Sequence, residues 1–324
     1  MNQIDIKIKE VSKAEFKNLQ SSHLTLEISG KTVNHTLINT LRRLAYDYVP
    51  TYSFHSDLIT IDKNVSIFDN DYMRLRLSEI TVPNIKCDVD YLDDKYWRQV
   101  DFANPEREKH PNDKKVLELY INVLNDTKEI MNVTTEHAKV FENGVELKNK
   151  FDPKFPSLII QLRPGGTFSC RCVAALGVGK VNHVFCAAGN GYFDDVEGKE
   201  NTYQLTLESQ GQFSEKEIIR KSCVVMKEKL LNTKKLLKEK YDSPLVKDTN
   251  AIKIELVNED HTLGSILNEY LQDHKDVVFS GVSKPNLLID NMIITLQTTK
   301  KNPLVPVMET IDYIIKIFDK IEKF

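Results

Sequence analysis

The chain has 324 residues, 41% of them hydrophobic, with 28% charged and a net charge of −3. That length supports roughly two to three domains with packed cores. The near-neutral balance gives no bulk reason to expect a nucleic-acid binder, and the chain is not acidic enough to suggest disorder.

Met1-Asn2-Gln3-Ile4-Asp5 does not read as a signal peptide, and no segment approaches the roughly 18 apolar residues needed to span a bilayer. Residues 36–49 read as a helix ended by Pro50. Leu37, Ile38, Leu41, Leu44, Ala45 and Tyr48 share one side at helical spacing, and Asn39, Arg42, Arg43 and Tyr46 fall on the other. Residues 101–115, polar and with two prolines, read as an exposed loop. Residues 116–124 alternate as a half-buried strand. Strands are expected at 157–163 and 167–175, joined by Pro164-Gly165-Gly166, and again at 202–208. Residues 214–240 carry the longest helical pattern, with Ile219, Cys223, Met226, Leu230 and Leu237 in one stripe. The lysines on its other faces read as solvated, because Glu215, Glu217, Glu228 and Glu239 interrupt them.

Residues 240–250 read as a domain linker, after which a compact unit begins. It has a strand at 251–257, a helix at 261–273, strands at 276–283 and 291–298, and a last helix at 306–323. Leu263, Ile266, Leu267, Tyr270 and Leu271 share one side of the first helix; Met308, Ile311, Ile315, Phe318 and Ile321 share one side of the second. Apolar faces this broad on so small a unit call for burial against a partner.

Catalytic motifs fail one by one. Gly177-Val178-Gly179-Lys180 suggests a phosphate loop, but the required upstream glycine is Ala174 and the residue after the lysine is Val181. Cys170, Cys172, His183 and Cys186 could in principle hold zinc, and a metal-dependent enzyme is kept as an alternative. Cysteines two apart in a strand are more simply small buried hydrophobes. The five cysteines, an odd number, also argue against a disulfide framework and for a reducing compartment. Tightly spaced aspartates for two-metal chemistry are absent. A second alternative is a free nucleic-acid-binding factor using the lysines of 227–240.

Two segments carry a family resemblance. Asn39-Thr40-Leu41-Arg42-Arg43-Leu44, with Val49-Pro50, resembles the signature helix of the alpha-like RNA polymerase subunits: the bacterial alpha N-terminal domain, the third subunit of polymerase II and its archaeal counterpart. Arg76-Leu77, Gly177-Val178-Gly179-Lys180 and Glu208-Ser209-Gln210-Gly211 continue it. The family's residues after the Gly-x-Gly-Lys loop are not kept, since Asn182-His183-Val184-Phe185 stand there. Asn258-Glu259-Asp260-His261-Thr262-Leu263-Gly264 resembles the smaller partner, the eleventh subunit of polymerase II or its archaeal counterpart. Phe279-Ser280-Gly281, Pro285 and Leu296-Gln297-Thr298 follow in order.

The resemblance implies an α+β fold: two alpha-like dimerisation modules paired as an intramolecular pseudo-heterodimer, with a mostly β domain inserted in the first. The expected divisions are 1–54 and 161–241 for the first module, 55–160 for the insertion and 242–324 for the second module. Leu37, Leu41, Leu44 and Tyr48 are expected to pair with Leu263, Ile266, Leu267 and Tyr270. Asn39, Arg42, Arg43, Gly177, Gly179 and Lys180 are expected to dock one of the large polymerase subunits. His261 and Thr262 would begin and cap the second-module helix, and Gly264 would permit close packing. Some members hold zinc or an iron–sulfur cluster in the insertion, but this one offers only Cys87 there, so no metal or cofactor is expected. The resemblance further implies a non-catalytic assembly platform of a DNA-directed RNA polymerase. Its partners would be the largest and second-largest subunits and small polymerase subunits, with DNA and RNA met only through the complex. No homodimer and no membrane association are expected. The fused arrangement is similar to polymerases of large DNA viruses of eukaryotes, implying the host cytoplasm and virion, with the nucleus as the alternative.

Overall fold

The computed structural model describes residues 3–15, 22–85, 87–104, 107 and 109–324. Residues 105, 106 and 108 of the expected loop, and Met1-Asn2, lie outside the described residues; the rest of 101–115 forms neither helix nor strand.

The first module opens with strands β1 (Lys7–Glu15) and β2 (Ser22–Ser29), then helix α1 (His35–Asp47) and a short strand β3 (Thr51–Ser53). Alternation in β2 puts Leu24, Leu26 and Ile28 on one fully buried face. Asn34 caps α1 by accepting from the Leu37 amide at 2.8 Å, and the helix stops before Pro50, whose ring disfavours helical geometry in the residue before it.

The inserted region contains β4 (Ile59–Asn64), α2 (Asn70–Ser78), α3 (Asp94–Gln99), β5 (Leu117–Leu124), β6 (Met131–Thr134), β7 (Lys139–Glu142), β8 (Val145–Leu147), β9 (Leu158–Leu162) and β10 (Thr167–Val173). It leaves through β11 (Ala175–Gly177), which pairs antiparallel with β3, so the entering and leaving strands form a neck. Inside, β4-β10-β5-β7-β8 make a five-stranded sheet, and β6 pairs with β9. The expected boundary at 160/161 therefore divides β9 and misassigns β10. Alternation shows that a stretch is a strand but not which strand it pairs with. Helix α2 carries little apolar periodicity, because its buried residues are only Met73, Leu77 and Ser78.

The first module resumes with β12 (Ala188–Asp195), β13 (Thr202–Ser209) and the long helix α4 (Glu215–Tyr241), completing a sheet of order β1-β2-β13-β12. Ser214 caps α4, Glu215 and Glu217 stand in its first turn and Lys238 and Lys240 in its last, all favourable to the helix dipole. The short helix α5 (Pro244–Lys247) occupies the expected linker. The second module is β14 (Ala251–Val257), α6 (His261–Gln272), β15 (Val277–Ser283), β16 (Asn291–Thr298) and α7 (Leu304–Glu322), with sheet order β14-β16-β15.

Helix α1 packs against α6, and α4 against α7, so one continuous apolar core runs through both modules. The expected stripe on α7 is partly corrected. Ile311, Phe318 and Ile321 are buried together with Val307, Ile314 and Ile317, whereas Met308 and Ile315 are only half-buried. A helix enclosed on two sides, by α6 of its own module and by α4, buries more than one stripe.

Candidate functional site

The seam between the modules begins as an apolar contact. Leu37, Leu41, Leu44 and Tyr48 are buried on the α1 side, and Leu263, Ile266, Leu267 and Tyr270 on the α6 side. Gly264 lets α6 approach its own sheet: a Cβ there would stand 3.2 Å from Met292 and 3.3 Å from Val282. Each buried leucine contributes about 2 kcal/mol from apolar area removed from water. The Tyr270 hydroxyl adds direction by donating to the Thr32 carbonyl oxygen at 2.8 Å.

At the start of α6 the seam turns polar around Asp260, which is 3% exposed. One carboxylate oxygen accepts from the Thr262 amide at 2.8 Å, so Asp260, and not His261 or Thr262, is the helix cap. The other oxygen accepts from the Tyr48 hydroxyl at 3.1 Å, Arg43 Nη2 at 3.0 Å and Lys180 Nζ at 2.7 Å. Arg43 Nε also donates to Thr262 Oγ1 at 2.9 Å. Burial alone would raise the Asp260 pKa, but hydrogen bonds from Lys180 and Thr262 and the Lys180 charge outweigh it and hold the carboxyl well below the usual range. Burial, and then the carboxylates of Asp260 and Glu259, push the Tyr48 phenol far up, so it remains a donor.

The expected docking set thus divides. Arg43 and Lys180 are occupied within the chain and latch the modules together. Asn39 and Arg42 stay half-buried outside the seam, with Asn39 Oδ1 accepting from Arg42 Nε at 3.2 Å and Nη2 at 3.1 Å. The glycines serve the chain's own packing. A Cβ on Gly179 would stand 2.3 Å from the Tyr46 carbonyl oxygen at the end of α1, and one on Gly177 would strike the Phe185 ring at 2.8 Å. That close approach places Lys180, whose amide donates to the Asp47 carbonyl at 2.8 Å, beside Asp260.

A second polar centre involves three parts of the chain. Lys229, on α4, lies 2.9 Å and 3.1 Å from the two Glu259 oxygens and 3.4 Å from both oxygens of Asp94 in the insertion. Burial alone would lower the Lys229 pKa; Glu259 and Asp94 outweigh it and hold the ammonium above its ordinary value. Burial pushes Glu259 up to about 7, with Asp94 and Asp260 adding to the rise and Lys229 opposing it. Nearby, Arg98 reaches Asp290 at 3.1 Å and the Asn258 carbonyl at 2.8 Å.

The solvated reading of the α4 lysines is corrected for Lys221, Lys227, Lys229 and Lys234, whereas Lys216, Lys235, Lys238 and Lys240 are exposed. Lys221 is fully buried and donates to the Cys87 and Val89 carbonyls at 3.0 and 3.1 Å and to Asp90 at 2.7 Å, pinning the inserted segment onto α4. Lys227 pairs with Asp319 at 2.9 Å and with Glu322; Lys234 pairs with Asp312, and Lys240 with Glu255 at 3.0 Å. Glutamates between lysines showed that the helix was no basic track; they gave no sign of carboxylates arriving from the second module. The Asp-x-Thr spacing of 260–262 is the local signal for the cap, which lies one residue before the expected His261.

Cys170 and Cys172 are buried on β10, Cys186 lies against Gly179, and His183 faces Glu79 at 3.4 Å. Among the described residues no group of three or more His, Cys, Asp or Glu side chains is placed to hold a metal ion.

Against known families, the model described as the RNA polymerase Rpb3/Rpb11 dimerisation domain matches residues 25–230, and a second model of the same description matches residues 251–323. The chain belongs to the Rpb3/Rpb11 dimerisation-domain family. It carries two such domains, with the seam just described between them. It is 27% identical over 328 residues to a protein of Acanthamoeba polyphaga mimivirus named as a DNA-directed RNA polymerase subunit, covering 93% of this chain and 90% of that one. It is 32% identical over 82 residues to the DNA-directed RNA polymerase II subunit rpb11 of Dictyostelium discoideum, covering 24% of this chain and 68% of that one. The α+β class with two alpha-like modules is thus shown.

Proposed function

We propose that this Rpb3/Rpb11-family chain is a subunit of a DNA-directed RNA polymerase and acts as its assembly platform, holding the two largest subunits without supplying catalytic groups. The observation that carries the reading is the pair of Rpb3/Rpb11 domains in one chain, docked through a continuous core. Fusion makes this pairing intramolecular, with an effective concentration of order mM, and fixes equal stoichiometry. Asn39 and Arg42, half-buried and bonded only to each other among the hydrogen bonds described, supply a planar donor fork suited to carboxylates or carbonyls of one of the large subunits. The β15–β16 loop supplies apolar surface, with Leu287 82% and Leu288 94% exposed. Other small polymerase subunits complete the set of partners. The likeness to the mimivirus protein supports a viral transcription complex working in the host cytoplasm and packaged in the virion.

A free nucleic-acid-binding role through α4 is disfavoured because Lys227, Lys229, Lys234 and Lys240 are all paired with carboxylates of the second module. The test is co-expression with the two largest polymerase subunits followed by affinity capture and native mass spectrometry. A complex containing both at equal stoichiometry is expected, weakened several-fold by N39A/R42A. Failure to capture either of them sinks the platform reading.

A further inference from the structure

The ion pairs that cross the seam share one polarity. Among the described residues, each takes its cation from the first module or its insertion and its anion from the second module. Arg43 and Lys180 meet Asp260; Arg98 meets Asp290; Lys229 meets Glu259. Along α4 and α7, Lys227 meets Asp319 and Glu322, and Lys234 meets Asp312. Composition does not force this. The second module has its own lysines, including Lys253, Lys275, Lys316 and Lys323, and none of these makes an ion pair described across the seam. Its one lysine with a described seam contact, Lys320, donates to the Ile4 carbonyl, which carries no charge.

The apolar part of the seam cannot provide the same discrimination. Both modules are of one domain type, and both present leucine-rich helices. Apolar burial is non-directional and would accept a first module against another first module, or a second against a second, from two copies of the chain. The charges respond differently. A first–first pairing brings Lys227, Lys229 and Lys234 against cations, and a second–second pairing brings Asp312, Asp319 and Glu322 against anions, repulsions that are felt at low salt and screened at high salt because most of these side chains are partly exposed. Individual partly exposed pairs contribute little stability, so their consistent arrangement matters chiefly for selecting among partners.

We propose that this charge polarity is a recognition code: it makes the first-module face accept a second-module face and reject a copy of itself, suppressing like-with-like association between chains. The proposal concerns the seam alone and does not rest on the polymerase reading.

The test uses the full chain with a specific protease site placed in 242–250 and cut after folding, so that the halves remain associated but can exchange. A wild-type version is mixed with an isotopically labelled version of reversed polarity, K227E/K234E/D312K/D319K/E322K. Exchange is allowed in dilute denaturant, and the species are counted by native mass spectrometry. Matched first–second pairs are expected to exceed mixed first–second pairs at least tenfold, with no first–first or second–second species formed between two copies of the same version. Equal matched and mixed populations overturn the proposal. A second measurement needs no reversed variant. Nicked wild-type chain is exchanged at rising sodium chloride, from about 0.05 M to about 1 M, over which the screening length falls to about 3 Å. Like-with-like species are expected to appear only at the high end. Their presence at low salt, or an unchanged distribution throughout, overturns it.

Discussion

The Tyr48 hydroxyl donates to Asp260 at 3.1 Å, joining the end of α1 to the cap of α6 in the other module. The same carboxylate takes Arg43 and Lys180, and the Tyr48 ring lies 4.9 Å from Lys229 and edge-on to Trp97 at 6.3 Å. Tyr48 and Asp260 therefore sit where both modules and the insertion meet.

Replacing Asp260 by Ala removes a cap and leaves two cations without their shared anion. A loss of about 3 kcal/mol or more is expected, against about 1 kcal/mol for Y48F, which loses one hydrogen bond. Urea denaturation of both single variants and the double variant measures this; because the residues touch, the double variant should lose less than the sum.

Arg42 and Arg43, adjacent in sequence, should behave oppositely. R43A breaks the latch and should lower stability by about 1–2 kcal/mol, whereas R42A should change it by less than about 0.5 kcal/mol. Thermal unfolding of the purified chain separates them; equal losses would refute the division of the docking set.

Leu41 and Leu267 are 2% and 1% exposed on opposite sides of the seam. L41D or L267D would bury an unpaired carboxylate, costing several kcal/mol, and should give insoluble or aggregated protein. A soluble, monodisperse profile in size-exclusion chromatography would contradict a seam that buries both stripes.

Glu259 gives a pH dependence. Its folded pKa, about 7, lies above the ordinary 4.5, so the folded state keeps a proton that the unfolded chain has already released. Its contribution is fully present below about 4.5 and is lost as pH rises through 7, by up to about 3 kcal/mol. His55 acts in the opposite direction, because burial lowers its pKa and charging it on acidification opposes folding. The difference in stability between wild type and E259Q, followed from pH 4.5 to 7.5, isolates the glutamate. A difference that does not vary with pH would refute its titration in the seam.

G179A should be poorly tolerated, since its methyl would stand 2.3 Å from the Tyr46 carbonyl oxygen. A loss of about 1–3 kcal/mol is expected from the forced backbone shift, measurable by chemical denaturation.

What the sequence determined alone was set by local chemistry. Helical spacing located α1, α4 and α6 to within a residue or two at each end, alternation located β5 and β13, and Pro50 marked where α1 stops. The two leucine-rich stripes announced surfaces that needed covering, and the quoted motifs of each module carried the family. The tertiary structure decided everything that depends on which distant segment arrives at a given face. It assigned β10 to the inserted sheet, converted supposedly solvated lysines of α4 into ion pairs, and turned Arg43 and Lys180 inward onto Asp260. A side chain's periodicity records which way it points from its own backbone. Its charge partner lies far away along the chain and is fixed only when the modules close on one another.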